Sequence, residues 1–192
     1  MTAHSVEPGF AIWFTGLPAA GKTTLARAVQ VRLAAAAVRT ELLDSDELRR
    51  RLVPGPTYTA DERDWFYDLI VFLAELLTRN GVNVLIAATA QRRIYRATAR
   101  SKLDRFAEVY VECPPEVCRA RDPKGLWAMA DRGEIHGLPG ADAIYEAPLA
   151  PEVTVRSAIQ GIDASAREIL HALGKLGWWA HTLPARQIDP DS

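Results

Sequence analysis

The sequence predicts an α/β fold in which two layers of helices enclose a central parallel sheet. Short apolar runs typical of buried strands alternate along the chain with stretches of helical periodicity. Such alternation gives parallel strands joined by right-handed crossovers. A glycine-containing loop over residues 16–24 separates the first apolar run from the first helix. We therefore predict a single three-layer domain over residues 1–192.

The loop follows an apolar strand, residues 10–14, and precedes a helix over residues 24–37. It fits the pattern G-x-x-x-x-G-K-[ST], and this strand–loop–helix context predicts a P-loop NTPase-type domain. Its glycines let several backbone N–H groups face an anion at the start of a helix. Lys22 would reach the β- and γ-phosphates, and the Thr23 hydroxyl would bind Mg²⁺. The predicted nucleotide-binding residues are Gly16, Leu17, Pro18, Ala19, Ala20, Gly21, Lys22, Thr23 and Thr24.

A second strand, residues 40–43, ends at two carboxylates, Asp44 and Asp46. Open parallel sheets place their chemistry at the carboxyl ends of the strands, beside the phosphate loop. Asp44 or Ser45 could instead cap the helix that runs through residues 48–52. Capping and catalysis are compatible, so both interpretations of Asp44 stay open.

A long helix is predicted over residues 58–79, after the break at residues 54–56. Thr59 and Glu62 have the spacing of a capping box. An apolar series with helical periodicity predicts core packing, or alternatively an interface between two copies of the chain. Its members are Trp65, Phe66, Leu69, Phe72, Leu73 and Leu76.

Three further strands are predicted over residues 82–88, 106–112 and 153–155, with helices from Pro115 and over residues 163–174. Four arginines follow the third strand, and either a solvated helix face or an anion contact explains them. They are Arg92, Arg93, Arg96 and Arg100. The irregular segment around residues 121–145 predicts a mobile lid. Residues 1–9 and about 188–192 are predicted to be disordered, and Trp178 and Trp179 to pack on the domain.

Composition excludes several classes of protein. The formal net charge of -1 offers no electrostatic footprint for nucleic acid or for an anionic membrane. The sequence has no apolar run long enough to span a membrane and no apolar stretch near Met1 that would indicate a signal peptide. Two cysteines, Cys113 and Cys118, make neither a disulfide framework nor a metal site. These features predict a cytoplasmic protein.

Among P-loop proteins, a small-molecule kinase fits best. A GTPase would carry a guanine-binding Asn-Lys-x-Asp, which the sequence lacks. The D-x-x-G match at residues 122–125 follows the fourth predicted strand, where a GTPase switch motif would not lie. A motor or transport ATPase would need a signature segment and usually a larger body. A kinase needs a phosphate loop, a base, basic residues and a mobile cover, and all four are present.

Several motifs resemble those of the adenylylsulfate kinase family, whose members phosphorylate the 3′-hydroxyl of adenosine 5′-phosphosulfate (APS) with MgATP to give 3′-phosphoadenosine 5′-phosphosulfate (PAPS). The resemblance covers residues 10–157. It rests on the phosphate loop, on LDSDELR at residues 43–49, on YTADER at residues 58–63, and most specifically on RDPKGL at residues 121–126 and YEAP at residues 145–148. It implies a role in sulfate assimilation and, as family members are usually homodimers, a possible homodimer.

The resemblance also implies roles for individual residues. Asp44 matches the carboxylate that deprotonates the acceptor hydroxyl, and Asp46 matches a partner that organises Mg²⁺. The positions matched to acceptor-binding arginines and to an aromatic that stacks on the adenine are Arg49, Arg63 and Tyr58. Arg121 and Lys124 match the basic start of the lid; Arg121 is expected to contact the donor nucleotide, and Lys124, like Phe66 and Leu138, to contact the acceptor substrate.

The chain departs from the family pattern mainly on the acceptor side. Phe66 replaces an asparagine near the sulfate, Leu138 replaces an aromatic that stacks on the adenine, and residues 89–91 are Thr-Ala-Gln instead of Ile-Ser-Pro. Ala19 replaces a glycine of the phosphate loop. The losses at Phe66 and Leu138 predict weaker APS binding than in an ordinary member. Two acceptors remain open: APS itself, or another anionic hydroxyl-bearing nucleotide or metabolite.

Overall fold

A computed structural model describes residues 7–179. The predictions of disorder for residues 1–6 and 188–192 lie outside this range. The prediction is wrong for residues 7–9, because Gly9 is buried and its amide donates to the Thr78 carbonyl over 2.8 Å. The Glu7 carboxylate is 2.9 Å from the Arg105 guanidinium.

Strands and helices alternate as predicted. The strands are β1 (Ala11–Thr15), β2 (Thr40–Asp44), β3 (Asn83–Ala87), β4 (Phe106–Glu112) and β5 (Val153–Arg156). The helices are α1 (Lys22–Ala35), α2 (Ser45–Leu52), α3 (Ala60–Arg79), α4 (Arg93–Lys102), α5 (Pro115–Arg121), α6 (Leu126–Asp131) and α7 (Ile162–Gly174). The short helix α6 was not predicted from the sequence; it lies within the segment predicted as an irregular lid. Among residues 7–179, no helix is long and apolar enough to cross a membrane.

All five strands are parallel, in the order β2-β3-β1-β4-β5. The register pairs Asp44 with Ala87, and Phe14 with Ala87, so the ends of β2, β3 and β1 lie side by side. The order is reached by crossovers, which carry each chain segment over a face of the sheet. The predicted three-layer α/β fold is confirmed, and Asp44 lies at the same sheet edge as the phosphate loop that follows Thr15.

Two separate hydrophobic clusters cover the two faces of the sheet. Ile12 and Phe14 of β1 pack with α1 and α7, whereas Ala11 and Trp13 pack with α3 and α4. Alternate residues of one strand therefore enter opposite clusters, as the period of two requires. In the first cluster, the Trp178 ring stacks on the Phe10 ring with centroids 5.6 Å apart. This contact confirms the prediction that Trp178 and Trp179 pack on the domain.

The predicted core face of α3 is wrong for most of its members. The helix buries Phe66 together with Tyr67, Ile70, Val71, Ala74 and Thr78. Trp65 and Phe72 are each 52% exposed, and Leu69, Leu73 and Leu76 are partly exposed. The apolar residues of this helix extend around more than one side, so periodicity alone could not choose the buried side.

The four arginines after β3 bind carboxylates and carbonyls of the protein itself. Arg96 is buried, and its Nε donates to the Glu108 carboxylate over 2.5 Å. Arg100 donates to both oxygens of Glu152, over 2.7 and 2.8 Å. The solvated-face interpretation is therefore wrong for Arg96. The anions that Arg96 and Arg100 meet are the side chains of Glu108 and Glu152, which hold α4 against β4 and the residue before β5.

Candidate active site

The phosphate loop is shaped by close backbone contacts. A Cβ at Gly16 would lie 2.4 Å from the Val111 carbonyl oxygen, so only glycine fits between the loop and β4. Gly21, at the N-cap of α1, is left-handed with φ 98°. Ala19 is also left-handed, with φ 66°, at the position where the family resemblance indicates glycine. The loop thus keeps the backbone geometry of an anion site despite this alanine.

Lys22 lies folded back over the loop. Its ammonium donates to the carbonyl oxygens of Gly16, over 3.1 Å, and Leu17, over 2.8 Å. Burial lowers the pKa of Lys22 to about 8, against smaller opposing effects of nearby groups such as Asp46. A partly buried cation at the cavity wall, held by two backbone carbonyls, is well placed to bind an anionic phosphate.

Asp44 joins the phosphate loop to helix α2. Its Oδ1 accepts from the amides of Asp46, over 2.9 Å, and Glu47, over 3.2 Å, which confirms the capping interpretation. Its Oδ2 accepts from the Thr23 hydroxyl over 2.7 Å. The same carboxylate therefore touches the residue predicted to bind Mg²⁺, while its catalytic role stays a prediction.

A cavity of about 780 Å³ brings most of the predicted site residues together from distant parts of the chain. The predicted residues that line it are Pro18, Ala19, Ala20, Gly21, Lys22, Thr23, Thr24, Asp46, Arg49, Tyr58, Arg63, Phe66, Arg121, Lys124 and Leu138. The other three predicted residues lie behind this wall. Two of them, Gly16 and Leu17, accept hydrogen bonds from Lys22, and the third, Asp44, accepts one from Thr23. One cavity thus joins the phosphate loop to the predicted acceptor residues.

The acceptor end of the cavity is built around Arg49. Its guanidinium carbon lies 3.9 Å from the centre of the Phe66 ring and 4.7 Å from that of Tyr58, and it forms an ion pair with Glu62. Arg63 donates to the carbonyls of Tyr58, over 2.9 Å, and Gly137, over 3.0 Å. The face of the Phe66 ring therefore packs against the Arg49 guanidinium group.

The segment predicted as a lid touches the phosphate loop at several points. Trp127 of α6 is buried and donates from Nε1 to the Pro18 carbonyl over 3.2 Å. A Cβ at Gly140 would lie 2.6 Å from a Leu17 methyl carbon, which shows how closely the predicted lid approaches the phosphate loop.

The predicted lid also contacts residues outside the phosphate loop: Lys124 pairs with the Asp46 carboxylate of α2. Arg121 donates to the Ser157 carbonyl over 2.6 Å.

Two side chains important to this geometry were missed by sequence reasoning. Glu62 was interpreted only as part of a capping box. Its backbone amide does donate to the Thr59 hydroxyl over 3.3 Å, but its carboxylate binds Arg49, Thr57 and Tyr58 instead of the Thr59 amide. The capping-box spacing was a usable signal that this carboxylate turns back towards the preceding loop. For Trp127, the sequence carries no comparable signal.

The oxygen atoms at this edge suit a hard divalent cation. Among residues 7–179, no three or more His, Cys, Asp or Glu side chains form a metal-binding group. Mg²⁺ is usually held by one or two protein oxygens together with substrate phosphates, so it does not require such a group. The Thr23 hydroxyl and the Asp46 carboxylate, both in the cavity wall, are chemically suitable ligands.

Comparison with known proteins decides the family. The sequence profile of the adenylylsulphate kinase family matches residues 8–156. The chain belongs to the adenylylsulphate kinase family. It is 41% identical over 170 residues to the adenylyl-sulfate kinase of Picosynechococcus sp., covering 88% of this chain and 96% of the relative. It is 46% identical over 147 residues to a probable adenylyl-sulfate kinase of Archaeoglobus fulgidus, covering 76% and 94% respectively.

A solved structure shows the same relationship in three dimensions. The Mycobacterium tuberculosis APS kinase, determined in complex with AMPPNP and APS, matches with a TM-score of 0.82 and 32% identity. The match covers 87% of this chain and 98% of that protein. The family confirms the expected enzyme class, an ATP-dependent phosphotransferase of the P-loop type. It also confirms the resemblance found in the sequence motifs.

Proposed function

We propose that this enzyme transfers the γ-phosphoryl group of MgATP to the 3′-hydroxyl of APS, giving PAPS and ADP. One observation carries the proposal: a single cavity has a phosphate loop at one end and an arginine pair, Arg49 and Arg63, at the other. Asp44 lies at the carboxyl end of β2, directly behind the cavity wall, where it accepts a hydrogen bond from Thr23 of the phosphate loop. Phosphoryl transfer depends mainly on positioning and charge neutralisation, which this arrangement supplies.

The donor end is assigned to the residues of the phosphate loop. The backbone amides at residues 16–24 and the Lys22 ammonium bind the phosphates, with Arg121 beside the nucleotide. Thr23 and Asp46 would hold the Mg²⁺ ion, which would supply charge neutralisation for the phosphates. Lys124 leaves Asp46 as the nucleotide arrives and binds phosphate oxygens instead.

The acceptor end is assigned to Arg49, Arg63 and Tyr58, with Phe66 and Leu138 as apolar walls. The arginines bind the anionic phosphosulfate, and the Tyr58 ring stacks on the adenine. Asp44 takes the proton of the 3′-hydroxyl as that oxygen attacks the γ-phosphorus, and the bond to the β-phosphate oxygen breaks to release ADP. Closure of the lid keeps water from competing for the phosphoryl group.

The direct test is ADP release by the unmodified enzyme with MgATP and a panel of acceptors. We expect turnover with APS and none with its 3′-deoxy analogue, which binds through the same groups but lacks the reacting oxygen. Adenosine 5′-phosphate, which lacks the sulfate, is the second control. Turnover with APS no faster than with adenosine 5′-phosphate would refute APS as the acceptor.

A second candidate acceptor class is another anionic compound with a free hydroxyl. The observation that favours it is the acceptor wall, where a ring at Phe66 and a buried aliphatic side chain at Leu138 replace a hydrogen-bond donor and an aromatic. Loss of one donor to an anionic oxygen weakens binding by roughly tenfold to a hundredfold. The same acceptor panel, extended to phosphorylated hydroxyl metabolites, distinguishes the two candidates by their kcat/KM.

The lid offers a prediction about motion. We expect amide hydrogen exchange over residues 121–145 to slow when ATP analogue and APS are both bound, because the new phosphate contacts restrain a segment now held by exposed pairs such as Lys124–Asp46. Helix α4, none of whose residues lines the cavity, serves as the internal control and should not change. Exchange that is already slow in the empty enzyme, and unaffected by ligands, would exclude a closing lid.

The exposed face of α3 suggests an interface between two copies. Trp65, Leu69 and Phe72 follow one another at i, i+4 and i+7, and Trp65 and Phe72 are half-exposed. We expect the enzyme to sediment as a dimer and Phe72→Asp to sediment as a monomer, since the charge would be buried in the interface. Val31→Asp, at an exposed position on α1, is the control. A monomeric parent would refute the interface.

We also propose a cytoplasmic location. Cys113 and Cys118 are free and buried. Burial, together with the neighbouring Cys113, raises the pKa of Cys118 to about 12. Such unreactive thiols fit a reducing compartment.

A further inference from the structure

We propose that Glu62 is a positioning residue for the acceptor, acting through Arg49 and Tyr58. The inference rests on the proposed function, because it takes the Arg49 end of the cavity as the acceptor end. Glu62 itself does not line the cavity. It lies behind the wall, at the first turn of α3, where its side chain is 13% exposed.

The two oxygens of Glu62 are divided between two tasks. Oε1 pairs with the Arg49 guanidinium. Oε2 accepts from the Thr57 amide, from the Thr57 hydroxyl over 2.7 Å and from the Tyr58 amide over 3.0 Å. Partial burial opposes ionisation, but the hydrogen bonds from Thr57 and Tyr58 and the charge of Arg49 keep the pKa of Glu62 below its ordinary value. One ionised carboxylate therefore links a cavity arginine to the loop before α3.

The loop needs this support because Tyr58 is in the left-handed region, with φ 56°. A bulky residue in this region is strained, and such strain persists only where the surroundings hold it. The residues that hold it come from the first turn of α3: Glu62 accepts from the Tyr58 amide, and Arg63 donates to the Tyr58 carbonyl. The strained backbone turns the Tyr58 ring towards Arg49, 4.7 Å from the guanidinium carbon.

Arg49 is thereby held on three sides. The Glu62 carboxylate binds one nitrogen, and the Phe66 and Tyr58 rings lie against its planar face. A guanidinium group carries five N–H donors, so the ion pair leaves donors free for a ligand. Because Arg49 is fixed before the acceptor arrives, less rotamer entropy is lost on binding. Phe66 occupies the asparagine position of the family pattern, so in this chain the ring contributes to the same fixation.

The test compares Glu62→Gln with the unmodified enzyme and with Asp61→Asn, which removes the same charge from the neighbouring exposed residue. Glutamine cannot accept from Arg49 with one end and from Thr57 and Tyr58 with the other, since one end is an amide donor. We expect the KM for APS to rise roughly tenfold to a hundredfold in Glu62→Gln. We expect the KM for ATP to change less than about threefold, and Asp61→Asn to behave as the parent.

The conservative variant separates positioning from folding. Glu62→Asp keeps the charge and should recover part of the affinity for APS, because a shorter carboxylate can still hold Arg49 or the loop. If Glu62→Gln melts below the assay temperature, Glu62→Asp is compared with the unmodified enzyme in its place. We then expect a smaller rise in the KM for APS. An unchanged KM for APS in the folded variant, or an equal rise for APS and ATP, would overturn the proposal.

A second measurement does not depend on the identity of the acceptor. In ¹⁵N-arginine NMR spectra, we expect separate Nη signals for Arg49 in the parent, because Glu62 restricts rotation of the guanidinium group, and merged signals in Glu62→Gln. Separate signals that persist in Glu62→Gln would overturn the proposal. If the parent does not use APS while the Arg49 signals merge as expected, the proposed acceptor fails and the positioning role of Glu62 stands.

Discussion

Replacing Lys22 by alanine is expected to lower kcat about a thousandfold, because the reaction loses the cation that neutralises the β- and γ-phosphates in the transition state. Lys22 is partly buried, and among residues 7–179 only the carbonyls of Gly16 and Leu17 accept hydrogen bonds from its ammonium. No other cation of the phosphate loop can replace it, since residues 16–24 contain a single lysine and no arginine. The measurement is steady-state ADP release with saturating MgATP and APS.

The control for this variant is Lys102→Ala, which removes an exposed lysine from the end of α4. It should leave kcat unchanged. The melting temperature of Lys22→Ala should not fall, because burial of the charged ammonium is unfavourable in the empty protein. Near-normal turnover by Lys22→Ala would remove the assignment of residues 16–24 as the donor site.

The lowered pKa of Lys22 also predicts how ATP binding depends on pH. The group is mostly charged below about 8 and mostly neutral above it in the empty enzyme, whereas bound phosphates favour the charged form. Binding above this pH therefore takes up a proton, and ATP affinity should fall by up to about tenfold per pH unit. Calorimetry between pH 6.5 and 9.5, with Lys22→Ala as the non-titrating control, measures the difference. The same slope in both proteins would contradict the assignment to Lys22.

The lowered pKa of Lys22 also affects the stability of the empty protein, which changes with pH in the direction opposite to ATP affinity. Between about 8 and the ordinary value of 10.5, the unfolded chain holds a proton on Lys22 that the folded chain has lost. Stability therefore rises with pH through this window as far as Lys22 is concerned. Affinity for ATP falls while this contribution to stability rises, so the two effects can be separated in one titration series.

Asp44→Asn is expected to lower kcat about a hundredfold to ten-thousandfold, because the amide cannot accept the proton of the acceptor hydroxyl. The structure makes this substitution mild in every other respect. Asparagine is as good an N-cap as aspartate, and its carbonyl can accept from the amides of Asp46 and Glu47. Its NH₂ group can donate to the Thr23 hydroxyl, which then acts as the acceptor.

The affinity of Asp44→Asn for ATP should therefore stay within about threefold of the parent, as should the KM for APS. Glu47→Gln is the matched control, since it removes a carboxylate three residues later, in the first turn of α2; the partner of Glu47 is the surface residue Arg51. ATP affinity that collapses while kcat survives would show that Asp44 acts through Thr23 and the metal site. A loss in both would indicate a disturbed phosphate loop.

The motifs made the phosphate loop of the proposed donor site predictable, because its residues are adjacent in sequence. The strand, the phosphate loop and the start of α1 occupy residues 10–24 without a gap, so local backbone rules define the anion site. Asp44 was predictable for a related reason: strand ends of a parallel sheet lie on one edge, wherever they fall in the chain. The capping role of Asp44 was also foreseen, since it needs only neighbouring amides.

The residues of the proposed acceptor end could be named from the sequence, and the structure brings them into one cavity, but the contacts among them could not be predicted. The resemblance to the family indicated Arg49, Arg63, Tyr58 and Phe66 by position. That Phe66 lies beneath Arg49, and that Glu62 holds Arg49, depends on how α2 and α3 approach each other. Such contacts join residues on separate helices, and periodicity describes one helix at a time.

The sequence by itself determined the alternation of strands and helices along the chain (apart from α6), the phosphate loop and the family, because these follow from local patterns and contiguous motifs. Only the tertiary structure decided which side of α3 is buried, that Arg96 pairs with Glu108, and that Lys124 of the predicted lid meets Asp46. The physical reason is that burial and ion pairing depend on neighbours brought together by the fold. A helix with apolar residues around most of its surface leaves that choice to the sheet and helices against which it packs.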